Sequence, residues 1–330
     1  MRHNPNIDLI KLIAMLGILL AHSVSCIGME KFGYGSEIFR IFVVCIPLFF
    51  MVAGFLSLGR KGSSMRYAIK RIVGIIKFCA TIGAIGCLWD VIRYGAPFSF
   101  VKLAVCCFEP MFGLGRFSIF WFFGALIVVY ALYPAVNTLF IHHKHRVQYL
   151  VIILLVIQQI VFLGILCYPP YPDINSYPFL DYDVWNWMLC FCIGGIIKTG
   201  SLPQWITRKY VLVLFLILII PFQWLLFPIV NSFNVGYFYS SLPVDILATA
   251  IFAGCMRLDL REAAPFMKLV PGIFLPVYFI HLPIIVRLRT SFPDFGVFTP
   301  TIFWLACCAV ILPVAYIMAR TPVVNRIFKI

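Results

Sequence analysis

The stretch "DLIKLIAMLGILLAH" occupies residues 8–22 and poses a contradiction. Its apolar character suits a helix crossing hydrocarbon, for which a core about 30 Å thick needs about 20 residues at 1.5 Å each. Yet it carries Asp8 and Lys11 near one end and His22 near the other. Eleven steps of about 100° return to within roughly 20° of the starting direction, so Lys11 and His22 project from one helix face. They lie about 16 Å apart along the axis and cannot touch. They can line one passage, with the cation at its mouth, the imidazole deep inside, and Met15 and Ile18 between them as an apolar middle. Alternatively, Lys11 snorkels to the headgroups and His22 is a hydrogen-bonded packing histidine. Ionisable groups inside a span are costly and tend to be functional, and two on one face point that way more sharply than either alone.

Outward from this stretch, the rest of the chain has the same character. Of its 330 residues 63% are hydrophobic and only 12% charged, with mean hydropathy +1.01. A soluble domain cannot keep its surface wet with so few charges, so the composition predicts an all-α, polytopic integral membrane protein. A basic start and an apolar run resemble a signal peptide, but Asp8 and Lys11 interrupt the place where its apolar region would begin, so residues 7–28 read as a retained first span. The net charge of +14 forms no stripe of Lys and Arg interleaved with stacking aromatics, which argues against nucleic acid as a partner. Most of the twelve cysteines, among them Cys79, Cys190, Cys192, Cys307 and Cys308, sit in apolar runs, where Cys behaves as a small hydrophobe. Without zinc-type spacing, neither a metal nor a disulfide framework is expected.

Windows of about 20 apolar residues give about ten transmembrane helices: 7–28, 38–58, 70–92, 117–140, 147–167, 184–198, 210–230, 240–257, 268–289 and 298–320. The sixth is short, and the eighth contains Pro243 and Asp245, which neighbouring helices must accommodate. Residues 98–112, "FSFVKLAVCCFEPMF", are broken by Lys102, Glu109 and Pro110 and read as an interfacial or re-entrant piece. No period of 20 to 50 residues repeats, and no soluble domain separates out, so residues 1–330 form a single transmembrane domain. With ten spans the even connections share one side with both termini. That side collects Arg60, Lys61, Arg66, Lys70, Arg71 and Lys77, and later Arg208, Lys209, Arg257, Arg261, Lys268 and Arg320. Such an asymmetry places both termini in the cytoplasm, with Lys11 toward the inside and His22 toward the outer face.

An Asp, then a basic residue, then ten residues, then His in the first span resembles the signature of the membrane acyltransferase-3 family, integral O-acyltransferases that modify bacterial polysaccharides and other glycans. Further stretches resemble it in the same order. "IPLFFMVAGFL" (46–56) is similar to the family's second span, with Ala53 where Ser is usual. "YAIKRIVGIIKF" (67–78) is similar to the basic opening of the third, in which two arginines stand three apart; Arg71 matches the first and Gly74 occupies the second. "FWFFGALIVVYALYP" (120–134) and "LPVYFIHLPII" (275–285) resemble the Trp-containing fourth span and the Tyr-x-x-His segment near the C-terminus.

The resemblance implies transfer of an acyl group, acetyl first, from cytoplasmic acyl-CoA to a hydroxyl of a glycan or glycolipid, in the plasma (inner) membrane of a bacterium. Acetyl-CoA is then the expected donor, membrane lipids the surroundings, and no metal is required. Such a reaction needs a base to activate the alcohol and cations for the donor's phosphates. An imidazole, ordinarily of pKa near 6.5, can take a proton at neutral pH. His22 is therefore expected as general base, with transient acylation of its ring as the second possibility. Lys11, Lys70 and Arg71 are expected to meet the donor, although topology alone also accounts for Lys70. Asp8 holds Lys11 by an i,i+3 pair or caps the first helix, capping being the simpler reading. His281 and Trp121 are expected near the acceptor, each also readable as packing; Pro283 beside His281 would free backbone groups by kinking its helix. "HHKH" (142–145) reads as a solvated basic turn, and "YPPYPDINSYPFLDYDVWNW" (168–187) suits either carbohydrate or an interfacial belt. The rival from another class is a secondary transporter or flippase with Lys11, His22 and His281 on a substrate or proton path; no paired halves favour it.

Overall fold

The computed structural model describes residues 3–27, 44–114, 119–167, 184–200 and 241–322, together with positions 213 and 217. The regular structure among these residues is helical, and no strand occurs among them. In chain order the helices are α1 (Pro5–Ile27), α2 (Cys45–Ser57), α3 (Ser64–Tyr94), α4 (Phe100–Phe112), α5 (Trp121–His142), α6 (Lys144–Cys167), α7 (Val184–Thr199), α8 (Leu242–Cys255), the single turn α9 (Ala264–Met267), α10 (Val270–Arg289) and α11 (Thr299–Arg320).

Five of these, α1, α3, α5, α10 and α11, are long and apolar enough to cross a membrane, and shorter apolar helices run over Cys45–Ser57, Arg146–Val161, Val184–Thr199 and Leu242–Cys255. The seventh expected window, 210–230, lies outside the described residues apart from positions 213 and 217. At 13 residues α4 is about 20 Å long, too short to span. It lies against α3 and leaves Phe100, Val101, Val105 and Phe108 exposed. Large apolar side chains also face outward from α3 (Ile85, Leu88, Trp89), α6 (Ile152, Ile153, Ile160) and α11 (Leu305, Ile317), a surface that water would not tolerate and lipid would.

α1 is the hub. Ile7, Ile10, Ala14, Leu20 and Val24 belong to the main core, shared with α2, α3, α5, α7 and α8. Met15, Leu19 and Ile27 belong to a second core against Val277 and Ile285 of α10 and Phe303, Cys307 and Ile311 of α11. Met15 therefore does not stand between Lys11 and His22 on the wall of a passage, as its place on the helical wheel suggested. It sits about 40° round from Lys11, which is enough to turn it into the α10–α11 contact.

The start of α1 also differs from the capping expected of Asp8. The Asn4 side chain accepts from Asn6 N at 3.0 Å and Ile7 N at 3.4 Å, so it satisfies first-turn donors that would otherwise be orphaned. Asp8 is thereby released for side-chain pairing. The Asn6 amide donates to the carbonyls of Cys255 (2.7 Å) and Leu258 (2.9 Å), pinning α1 to the end of α8.

Helices α2 and α7 approach closely because each contributes a glycine. A Cβ on Gly54 would stand 1.8 Å from the Phe191 carbonyl oxygen, and one on Gly194 would stand 1.9 Å from that of Met51. Without a hydrophobic drive between helices in lipid, such close backbone packing supplies the attraction. Deeper in the same region Asp245, 2% exposed, accepts from Gln158 Nε2 at 2.7 Å and Cys190 Sγ at 3.2 Å. These bonds tie α6, α7 and α8 together and accommodate the acid expected in the eighth window. Cys79, Cys190, Cys192, Cys307 and Cys308 are free thiols.

Candidate functional site

Three cavities adjoin one another through shared wall residues, and α1 lines the second and third of them. The first is a bowl of about 740 Å³ at the start of α3, lined by Arg60, Arg66, Lys70, Arg71 and Lys77 with Tyr67. Tyr67 and Arg71 also line the second, a throat of about 210 Å³ that is otherwise apolar except for Lys11, Ser57 and the Tyr130 hydroxyl. Phe49 and Phe122 of the throat also line the third, a chamber of about 330 Å³ into which His22, Ser25, Trp121 and Tyr278 are set. Lys11 and His22 thus share a helix face and border successive cavities, cation in the throat and imidazole in the chamber.

The helices that carry the motifs supply the walls. α2 contributes Phe49, Val52, Ala53 and Leu56, α5 contributes Trp121 and Phe122, and α10 contributes Phe274 and Tyr278. Ala53, in the place of a serine, leaves the throat one hydroxyl poorer. Gly74 lines the bowl.

Charge at the bowl is organised around Tyr67. Its hydroxyl accepts from Arg71 Nε at 3.1 Å and lies 3.1 Å from Ser57 Oγ. The guanidinium of Arg60 stacks on the ring at 4.6 Å and that of Arg71 at 5.3 Å, distances at which a cation is attracted by the π face. Asn137 holds the turn that carries Arg60. It accepts from Gly59 N at 2.8 Å and donates to Arg60 O at 3.1 Å and Ser64 Oγ at 2.7 Å. Tyr133 donates to Ser57 O at 3.1 Å and Lys198 Nζ to Leu58 O at 2.7 Å. Tyr67, Ser57 and Asn137 were not singled out from the sequence, and Arg60 and Lys198 entered it only as basic residues that mark the topology. The signal was present only as polar residues at the end of one apolar run and the start of the next.

On the wall of the throat Lys11 Nζ lies 3.1 Å from Asp8 Oδ1, while Asp8 Oδ2 meets His3 Nε2 at 2.7 Å. Asp8 is 3% exposed and is not among the wall residues of the three cavities, so it faces Lys11 rather than open space. Lys70 is exposed on the bowl.

In the chamber Trp121 packs 5.7 Å from Trp187, itself stacked at 4.9 Å on Phe50. Tyr278 donates its hydroxyl to the Ile119 carbonyl, which ties α10 to the entry of α5. His281 is wholly buried at 0% exposure and is not a wall residue of the chamber. It stands behind His22, ring centroids 5.0 Å apart. α10 remains helical through Pro283, and the His281 ring lies within hydrogen-bond distance of the Val277 and Tyr278 carbonyls. Of the "HHKH" turn, His142 and His143 are exposed. The stretch 168–183 lies outside the described residues.

The arrangement offers a cationic bowl for a polyanion, a narrow apolar throat, and a chamber holding an imidazole. Comparison with curated proteins brings up no match, and comparison with solved structures brings up none either. A family model described as "Acyltransferase domain" matches residues 4–320, almost the whole chain. The motif stretches that resembled acyltransferase-3 proteins lie within that match, and the chain belongs to the acyltransferase-3 family.

Proposed function

We propose that the protein moves an acyl group, acetyl in the first instance, from cytoplasmic acyl-CoA to a hydroxyl of a glycan or glycolipid, with His22 as general base. The observation that carries this reading is the order of the cavities: five cations at the bowl, Lys11 in the throat, His22 in the chamber. Phosphates are held by charge-assisted hydrogen bonds from Arg and Lys. In this reading Arg71, Lys70 and Lys11 meet the phosphates of the donor, and its thioester arm extends along the apolar throat. His22 takes the proton of the acceptor hydroxyl while that oxygen attacks the thioester carbonyl. The C–S bond then breaks, and the coenzyme A thiolate takes the proton back from the imidazolium. Acylation of the His22 ring before transfer is the variant pathway. Trp121, at the chamber, offers a flat face to a sugar ring. The reading includes ten spans with both termini and the bowl on the cytoplasmic side of a bacterial plasma membrane, following the distribution of Lys and Arg.

The test is to incubate purified protein in proteoliposomes with labelled acetyl-CoA and a panel of glycan and glycolipid acceptors, following thioester loss and acetyl capture. His22→Ala is expected to lower transfer by 10²-fold or more, on the order of what a positioned base contributes, while leaving the protein folded. Near-normal turnover in that variant eliminates His22 as the base. Solute movement without thioester loss would point to transport instead.

A further inference from the structure

His281 belongs to the Tyr-x-x-His segment, yet its burial keeps it from any acceptor sugar. Its Nδ1 lies 2.8 Å from the Tyr278 carbonyl oxygen and 3.2 Å from that of Val277. Carbonyl oxygens only accept, so Nδ1 carries the hydrogen, and in a neutral imidazole the lone pair then resides on Nε2. That Nε2 is buried and has no hydrogen-bond partner. A buried acceptor left without a donor is costly to folding and calls for an explanation. The ring of His22 stands 5.0 Å away, tilted by 45°. It belongs to a side chain that borders the chamber on its other flank.

We propose that His281 is a positioning residue for His22: a small turn of the neighbouring rings lets its Nε2, unpartnered in this structure, accept one N–H of the His22 imidazole, which fixes the tautomer whose second nitrogen presents its lone pair to the chamber. This rests on the reading of His22 as general base. An imidazole without a fixed tautomer divides its time between presenting a lone pair and presenting an N–H, and only the former can take a proton. When the acceptor hydroxyl gives up its proton, His22 carries two N–H groups, one held by His281 and one returned to the departing thiolate. His281 itself does not relay the proton. A proton on its Nε2 would create an imidazolium inside a fully buried site, where an unpaired charge is far more costly than one beside the open chamber. The Tyr278 hydroxyl, bonded to Ile119 O, anchors the turn of α10 that presents His281.

Three variants and one spectrum test this. His281→Leu removes the acceptor. His281→Gln places an amide oxygen near the former Nε2. The third variant joins His281→Leu to His22→Ala. The Leu variant is expected to lose about 10²- to 10⁴-fold in kcat, the range of acid–base catalysis, with the KM for acetyl-CoA within about twofold. The Gln variant should recover at least about tenfold of that loss. In the His22→Ala background the Leu substitution should change nothing further, because residues that act as a unit are not additive. In ¹⁵N-histidine spectra, His22 should show one neutral tautomer in the wild type and both in His281→Leu.

A Leu variant within about twofold of wild-type kcat, Gln no better than Leu while both stay folded, or an unchanged His22 tautomer overturns the proposal. If the Leu variant fails to fold, the wild-type spectrum decides: Nδ1 of His281 protonated with Nε2 accepting supports it, and Nε2 protonated overturns it. An inactive His22→Ala with an unaffected His281→Leu sinks this proposal alone. Near-normal turnover of His22→Ala sinks it together with the base. If wild type transfers no acyl group, the acyl-transfer reading fails and the spectra still decide the histidine pair.

Discussion

Lys11 holds two relationships at once, an ion pair with Asp8 and a place on the wall of the throat. A lysine that only snorkelled to headgroups would have no need of a carboxylate that is itself almost wholly buried. Lys11→Ala is therefore expected to weaken donor binding rather than chemistry. A hydrogen bond to a charged group contributes about 1.5–3 kcal/mol, so the KM for acetyl-CoA should rise by about tenfold to a hundredfold while kcat stays within a few fold. Isothermal titration with a non-hydrolysable thioether analogue reads the same loss directly, and an unchanged affinity removes Lys11 from the donor site. Lys11, His22, Trp121, Lys70 and Arg71 could be picked out from the sequence because helical periodicity and motif order act within a few turns of one helix. Tyr67, Ser57 and Asn137 could not. Their importance arises where the end of α2, the start of α3 and the far end of α5 converge, and separations of seventy residues and more leave no periodic trace. Met15 failed for a related reason, since a helical wheel gives direction but does not say which neighbour waits there.

Among the helices, the α2–α7 contact carries the sharpest steric constraint. Gly54→Ala would press a methyl group against the Phe191 carbonyl, and backbone on both sides leaves no flexible side chain to yield. Overpacking of this kind costs about 1–3 kcal/mol and occasionally more. The midpoint of thermal unfolding in detergent should fall by several degrees, and the walls of the throat that α2 carries should shift with it. A Gly54→Ala protein with unaltered melting and unaltered donor KM would show that the helices can part without consequence. The existence of most helices was legible, because length and hydropathy are properties of a single run. Their ends were less so. α3 begins at Ser64 with its Ser63 side chain accepting from Arg66 N at 3.2 Å, six residues before the apolar window suggested, since capping and first-turn polar residues do not register as hydrophobic. The bond between Asp245, Gln158 and Cys190 was equally hidden: three polar groups on three separate runs look like isolated costs until packing makes them partners.

Taken whole, the molecule is polarised. Arg60, Arg66, Lys70, Arg71 and Lys77 gather at one end of the row of cavities, and His22, Trp121 and Tyr278 at the other. If the bowl faces the cytoplasm, the exposed turn at His142–His143 faces it too, by the alternation of spans. In His143→Cys a membrane-impermeant maleimide should label inside-out vesicles about tenfold or more above intact cells, relative to the parent protein, because an ion that size does not cross hydrocarbon. Equal labelling from outside would invert the topology.

Phe49 and Phe122 belong to the throat and to the chamber at once, and their rings meet edge to face at 5.9 Å. These two phenyl groups form apolar wall common to the cavity that holds Lys11 and the cavity that holds His22. Phenyl rings offer a hydrated ion nothing to replace its lost water, so on the proposed reading a thioester is worked upon from one compartment for the benefit of the other without draining the voltage that the membrane exists to maintain.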